Sequence, residues 1–557
     1  MNDRKIFDHL EEIYGKELAQ KYQSKFESKV EQLSSFSCEE TREFDESDAI
    51  MITYGDSISK VTSESKIQTL TEFAKKYLDS AISTIHILPC FPYTSDDGFS
   101  IVDYKKINPE LGTWSDVEEL TKDYRLMLDL VANHISRSSY WFQEFLKGNE
   151  KYSDYFITCD PSADYSSVVR PRALPLLTEV DTKNGKKWVW TTFSEDQIDL
   201  NYKNPEVLLD VIDVLIEYIK HGATVIRLDA IAFIWKELGT SCLHLPQTHE
   251  IIKLIRSMVE MADVDVKIIT ETNVPHEDNI SYFGNGHDEA SMVYNFPLPP
   301  LTLHTFLKGD ATVIRDWASN LTLPSDDVTF FNFLASHDGI GLNPAKGLIE
   351  DDEIINLAKK IKSVGGYISH KVNSDGSESP YEMNINYLDA LKIAGDVDED
   401  LEAKRFIASQ SIILAFKGVP GIYIHSLIGS RNYSDGVIEK GTPRTINREK
   451  LDWDELEKGL NDSNSIRSKI LRRYKKLLLI RKSNRCFSPK AKQEVLQNLD
   501  SRVFGLKRSF DRESIICLTN ISSSDVETSI SLDGYEILTD ESFDGKLRPY
   551  QVVWMKR

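Results

Sequence analysis

Four stretches of this chain place acidic side chains where an apolar run ends. "TVIRLDA" carries Val225, Ile226 and Leu228 into Asp229; "VKIITETN" runs into Glu271; "VTFFNFLASHDG" runs into Asp338; "YRLMLDLVANH" carries Asp129 and His134. The apolar, partly β-branched residues read as buried strands. A charge inside such a run is expensive unless it is paired or solvated, and Arg227 and Asp229 sit two residues apart inside one. Any one of these carboxylates alone reads as a helix cap or a solvated loop residue. Together, at the carboxyl ends of successive strands, they describe the mouth of a β/α barrel, where polar residues are catalytic. Converging carboxylates suit glycosyl transfer. A retaining enzyme needs one nucleophilic and one proton-transferring carboxyl group about 5–5.5 Å apart.

The elements that must position these residues are legible in outline. Residues 4–33 have a helical spacing of apolar side chains. Strand-and-loop units follow at "AIMITYGDSI", at Thr84–Leu88 and at the run ending near Asp129. Residues 135–202 read as a loop-like, aromatic-rich insertion. In "NPEVLLDVIDVLIEYIKHG", Asn204 suits an N-cap, Pro205 the first turn and Gly222 the end of a helix. Strands alternating with helices at this spacing indicate parallel β/α architecture. From about Arg485, short strands such as "RVFGLKRSF", "SIICLTNI", "TSISLDG", "YEILTD" and "YQVVWMK" indicate a small all-β domain.

Composition excludes several classes. The 557 residues carry a formal net charge of −22, without the basic footprint a nucleic-acid or anionic-membrane partner requires. Six cysteines lie far apart with no CxxC, the usage of a reduced, cytoplasmic protein. The charged start "MNDRKIFDHLEEIYG" has no signal-peptide core, and no window is apolar enough for a membrane helix.

"LDLVANH", "VIRLDA", "IITETN" and "FLASHD" resemble the four signature regions of the α-amylase family of retaining glycosidases and transglycosylases. Within it, "HDGIG", "WTTFSEDQIDL", "KELGTSC", "PLPPLTLH", "GVPGIYIHSLIGS" and "INR" look like the sucrose phosphorylase subfamily. The resemblance implies an α/β fold, a (β/α)8 TIM barrel over residues 1–134 and 203–480, with residues 1–47 a helical lead-in. It implies an inserted domain B at 135–202 after strand 3, a lid-like excursion at 341–387 after strand 7, and a C-terminal all-β domain at 485–557. In the excursion, "NSDGSES" reads as a mobile loop.

Carried over residue by residue, the resemblance makes Asp229 the nucleophile, Glu271 the acid/base and Asp338 the transition-state stabiliser. Arg227 keeps Asp229 ionised and oriented, since an adjacent cation lowers a carboxylate pKa. The role of Glu271 requires a raised pKa. His134 and His337 match histidines that hold sugar hydroxyls. Asp96 and Arg448 look like the pair closing the glucose subsite, and Phe99 and Phe193 are candidate platforms for the sugar.

The acceptor subsite departs from the sucrose enzymes. They carry a Tyr where this chain has Phe233, a His at Asn273 and a Gln at Glu382, beside the retained Tyr381. "VVRPRALPLLT", "ETNVPHEDNISYFG", "WKELGTSCLHLPQTH" and "PYEMNINYLDAL" instead resemble the glucosylglycerate phosphorylase branch. Glycerate carries a carboxylate that needs a local cation, for which Arg170 and Arg172 are candidates. Asn273, His276 and Tyr381 are candidate donors to that carboxylate or to phosphate. The expected reaction is reversible phosphorolysis of 2-O-α-glucosylglycerate. The alternatives are phosphorolysis of sucrose, sucrose 6'-phosphate or glucosylglycerol, and plain α-glucosidase or transglucosidase action. A non-catalytic binding subunit is disfavoured because all three signature carboxylates are present. The branch implies no metal and no organic cofactor, inorganic phosphate as co-substrate, small-molecule partners only, and a monomer or homodimer.

Overall fold

Eight parallel strands close into a barrel in the computed structural model, which describes residues 3–38, 41–63, 65–172, 174–372, 377–393, 395, 398–528 and 534–557. The strands are β1 (Ile50–Thr53), β2 (Thr84–Ile87), β3 (Arg125–Val131), β4 (Ala223–Asp229), β5 (Lys267–Thr270), β6 (Met292–Tyr294), β7 (Thr329–Asn332) and β8 (Val419–Tyr423). Each pairs with its neighbours in sequence, and β1 joins β8 to close the ring. Buried Val225, Ile226 and Leu228 fix β4 in the core. The helix before it, Pro205–Lys220, starts where the Asn204 side chain accepts from the Glu206 N–H at 3.1 Å. It ends ahead of Gly222, whose φ of +91° lets the chain turn into the strand.

The amino-terminal stretch is not one helix. It breaks at Gly15, with φ +80°, into Asp3–Tyr14 and Lys16–Ser34. The break lets each half lie on a different barrel helix. His9 meets Glu250 and Ser257 on the helix Pro246–Met261, while Lys29 pairs with Asp213 on Pro205–Lys220.

The segment between β3 and β4 is more regular than the expected loop. His134–Ser136 pairs antiparallel with Gln197–Asp199, clamping its two ends together. Between them lie a helix, Tyr140–Leu146, and a three-stranded sheet whose hairpin turns through Lys183 and Asn184, with Gly185 at φ +101° at the start of the return strand.

After β7 the chain forms another small antiparallel sheet from Ile340–Gly341, Tyr367–Val372 and Glu378–Asn384, beside the helix Asp351–Ser363. Residues 373–376 of the expected mobile loop lie outside the described residues. A five-stranded antiparallel sheet built from Lys492–Val495, Val503–Phe510, Glu513–Asn520, Tyr535–Glu536 and Val552–Lys556 makes up the carboxyl-terminal domain. Most of the expected "TSISLDG" strand also lies outside the described residues. Among the described residues no helix is long and apolar enough to cross a membrane.

Candidate active site

Barrel register places Arg227 on β4 directly beside Asp129 on β3. Nη1 of Arg227 donates to Oδ1 of Asp229 at 2.6 Å and also bonds Oδ1 of Asp129, while Nη2 lies 3.7 Å from Oε2 of Glu271. Asp129 is fully buried and is held from its other side by Nε2 of His86 at 2.7 Å. Burial works to raise its pKa, but His86 and Arg227 together hold it at about 2. Asp129 therefore differs from the other three carboxylates. It lies inside β3, behind the arginine, and does not line the cavity that the others share. The charges buried in the opening sequence run are thus paired, through one guanidinium shared by β3 and β4.

Asp229 and Glu271 end up side by side because the chain turns sharply after β4. Ala230 has φ +50°, and its N–H donates to Oε2 of Glu271 at 3.2 Å. Burial pushes both carboxyl groups above their ordinary range; Glu271 raises Asp229 further, and Arg227 opposes the rise in each. The cation does not hold Asp229 low, as expected from its adjacency alone, because desolvation outweighs it. Two raised, interacting carboxyls titrate as a pair. The 2.6 Å ion pair to Asp229, against 3.7 Å to Glu271, favours the charge on Asp229 and the proton on Glu271.

Asp338 is the opposite case. Burial would raise it, but Arg444 holds it well below the usual range, with His337 and Arg448 adding to the effect. Nη1 of Arg444 lies 2.5 Å from its Oδ1.

These three carboxylates line a cavity of about 120 Å³ at the carboxyl ends of the strands, with Asp96, His134, Phe193, Phe233, Asn273, His337, Tyr381 and Arg172. Burial pulls His134 down to about 4 and His337 down to about 3, so both are neutral at pH 7. His337 stacks on Phe99 with 4.8 Å between ring centroids, and Phe193 meets Phe233 edge-on at 5.5 Å. A wider cavity of about 380 Å³ opens at the opposite end of the barrel, beside Lys267 and Thr329. Conservation of structure rather than chemistry is the usual business of that end.

Four placements differ from expectation. Arg448 pairs with Asp97 at 2.7 Å, not with Asp96. Asp96 takes Nη2 of Arg172 at 2.9 Å. The two aspartates occupy consecutive left-handed positions, φ +54° and +47°, and this turn sends neighbouring side chains to different arginines. Arg170 is exposed, bonds the carbonyl of Leu174, and does not line the cavity, whereas Arg172 does. Glu382 also stays outside the cavity wall, held by Arg444. His276 packs against Phe330 and Trp317 rather than lining the site.

Gln197 and Arg444 are among the lining residues that were not anticipated. The Gln197 amide meets Nε2 of His134 at 3.1 Å. Arg444 lies in the short helical turn Pro443–Asn447, four residues before Arg448, so the "INR" string already pointed at its loop. Among the described residues no group of His, Cys, Asp and Glu is arranged to hold a metal ion.

Residues 74–340 match the model of the alpha amylase catalytic domain. Over 553 residues the chain is 47% identical to a glucosylglycerate phosphorylase of Allomeiothermus silvanus, covering 99% of this chain and 98% of that protein. It is 43% identical to a glucosylglycerate phosphorylase of Escherichia coli, covering 99% of this chain and all of that protein's length, 100%. Among solved structures, a sucrose 6F-phosphate phosphorylase from Thermoanaerobacter thermosaccharolyticum superposes with a TM-score of 0.74 at 24% identity, over 85% of this chain and 94% of that one.

Proposed function

The chain belongs to the alpha-amylase family, and we propose that it acts there as a glucosylglycerate phosphorylase, converting 2-O-α-glucosylglycerate and phosphate to α-glucose 1-phosphate and glycerate with retention. The observation that carries this reading is the near full-length identity to glucosylglycerate phosphorylases, 47% and 43%. The cavity supports it by bringing Asp229, Glu271 and Asp338 together with two arginines able to meet an anion.

The chemistry proceeds in two displacements. Asp229 attacks the anomeric carbon as the glycosidic bond breaks, and Glu271 gives its proton to the departing glycerate oxygen. The product is a β-glucosyl ester on Asp229. Phosphate then enters, Glu271 takes its proton, and the phosphate oxygen attacks the same carbon. The ester bond breaks, Asp229 returns as a carboxylate, and the α-phosphate is formed. Asp338, held ionised by Arg444, stabilises the oxocarbenium-like charge in both steps. Neutral His134 and His337 are suited to hydrogen-bond sugar hydroxyls.

The test is to supply α-glucose 1-phosphate and follow phosphate release with D-glycerate, fructose, glycerol or buffer alone. Fast release with glycerate only is expected. Fast release with fructose or glycerol instead would replace the substrate, and release as fast in buffer would make the protein a hydrolase.

A further inference from the structure

The protein is acidic throughout its sequence, with 88 Asp and Glu against 66 Lys and Arg. One groove departs from that background. It lies where the helices Glu399–Ala415 and Ile466–Lys482 meet the carboxyl-terminal sheet, and it encloses about 510 Å³, against about 120 Å³ for the catalytic cavity. Lys404, Arg473, Lys476 and Arg548 line it, and no carboxylate does. The cavity at the opposite end of the barrel is the contrast, for Glu43, Glu260, Asp263, Asp326 and Asp327 all stand in its wall.

The four cations are only partly neutralised. Arg473 and Lys404 share one carboxylate, Asp400, at 2.5 and 3.0 Å, and Arg548 pairs with Asp544 at 2.7 Å. Both aspartates stand outside the groove wall. Lys476 is exposed and has no ion pair among the described residues. Nη1 of Arg473 is buried and has no partner among them either. A local excess of cations is what an anion needs to approach a protein whose overall charge repels it.

The rest of the groove is apolar. Buried Ile407, Leu477, Leu538 and Tyr550 line it, with half-buried Leu401 and Val552 beside them. Tyr550 sits at φ +53°, a conformation that an aromatic residue rarely adopts and that surrounding structure must enforce. The guanidinium of Arg405 lies 5.4 Å from its ring centroid. An uncharged hydrocarbon would leave the cations of this groove unused, and a sugar phosphate would leave its apolar side uncovered.

We propose that the groove is a binding site for a small amphipathic anion, a carboxylate or phosphate carried on an aliphatic or aromatic body. The head sits among Arg473, Lys476, Lys404 and Arg548, and the body lies on Ile407, Leu477 and Leu538. None of these residues lines the catalytic cavity, so the site stands whichever glucoside the enzyme takes. Its walls come from both the barrel helices and the carboxyl-terminal sheet. An occupant touches both and stabilises the folded chain by mass action.

The test is calorimetric titration of the full chain with octanoate, octyl phosphate, octylammonium, octanol and butanoate, with thermal unfolding followed alongside. Octanoate, octyl phosphate or both should bind once per chain with Kd below about 1 mM and raise the unfolding temperature. Octylammonium and octanol should bind at least about tenfold more weakly. Each buried methylene is worth up to about fourfold in affinity, so butanoate should also fall at least about tenfold behind octanoate. Binding of one head and not the other identifies the head the site takes. An exposed ion pair contributes up to about fivefold, so Lys476→Gln and Arg548→Gln should each weaken the anion about two- to fivefold and together about tenfold. Both positions are exposed, and turnover equal to wild type shows that the variants fold. Equal affinity for octanoate, octylammonium and octanol would overturn the proposal, as would anion binding unchanged in the double variant. Absence of saturable binding by either anion up to about 10 mM would overturn it as well.

Discussion

Two ion-pair networks of the same plan, built from different material, support one cavity from different sides. Each has an arginine between two carboxylates: Arg227 between Asp129 and Asp229, and Arg444 between Glu382 and Asp338. The first is made of barrel strands, and its arginine side chain is 2% exposed. The second is made of connections. Asp338 follows β7 on a loop, Arg444 lies in the turn Pro443–Asn447, and Glu382 is in a strand of the excursion after β7. Its arginine side chain is 25% exposed. Strand register sets the first, so its charges cannot move without taking the barrel apart. Ion pairs between residues of separate connections set the second. On the proposed reading the covalent chemistry falls to the strand side, which carries Asp229.

The largest effect should come from the strand side. Asp229→Asn keeps the shape and removes the proposed nucleophile, and turnover should fall by roughly 10⁴-fold or more, read as phosphate release from glucose 1-phosphate with glycerate. Normal turnover in that variant would break the comparison outright. Glu271→Gln should cost about 10²–10⁴-fold with glucosylglycerate, and far less in the first step with α-glucosyl fluoride, whose leaving group needs no proton. The same residue sets a pH signature. Because burial raises Glu271, the wild type should keep its acid form above the usual carboxylate range and lose activity only as pH rises past that raised value. A rate already falling at pH 4–5 would place the proton elsewhere.

What the sequence makes legible follows the same division. Asp229 and Glu271 are readable because each ends an apolar strand, and the β/α rule then places strand ends at one mouth. The barrel itself and the trailing β-sheet are readable from periodicity and turn residues, as the Asn204 cap and Gly222 stop show. The loop side is not readable in this way. Whether Asp96 or Asp97 meets Arg448 depends on two consecutive left-handed backbone positions that no alternation rule anticipates. Arg170 and Arg172 are two residues apart, and only one lines the cavity. Arg444 carries no periodic signature, and its partners lie 62 and 106 residues away, at Glu382 and Asp338. Asp129 shows the limit on the strand side. Its type and place suggested a fourth catalytic carboxylate, and only the register with Arg227 shows that it stands behind the site.

Stability offers a gentler way to separate the two sides. Asp129→Asn removes a fully buried partner of a fully buried arginine, and such a break typically costs about 3–5 kcal/mol. Glu382→Gln acts on the more exposed arginine and should cost less than half of that. Denaturant unfolding of both variants checks the order, and equal losses would mean that the loop side is as rigid as the strands. Acid titration probes the histidines. His134 has its pKa lowered to about 4 by burial, below the ordinary value near 6.5. The unfolded chain therefore binds more protons than the folded one between those values, so the contribution of His134 is fully present above pH 6.5 and declines as pH falls toward 4. Between pH 6.5 and 5.5 the loss should be on the order of 1 kcal/mol. His244, His337 and His425 are lowered in the same direction, so the check is the difference in unfolding free energy between the wild type and His134→Gln, and a difference independent of pH over that interval would show that His134 charges freely in the folded state.

The smallest effect should come from Arg172→Gln. The pair it breaks is partly open to solvent, 33% for the arginine and 20% for Asp96. Ion pairs this exposed contribute at most about 1 kcal/mol, so unfolding should change by less than that. Asp96 would nevertheless lose the cation that anchors it, and Asp96 lines the cavity near His134 and Gln197. KM for glucose 1-phosphate should therefore rise a few-fold while kcat holds. That pattern would place Arg172 with the glucose side. A rise in glycerate KM instead, with glucose 1-phosphate unaffected, would hand the acceptor to the inserted domain.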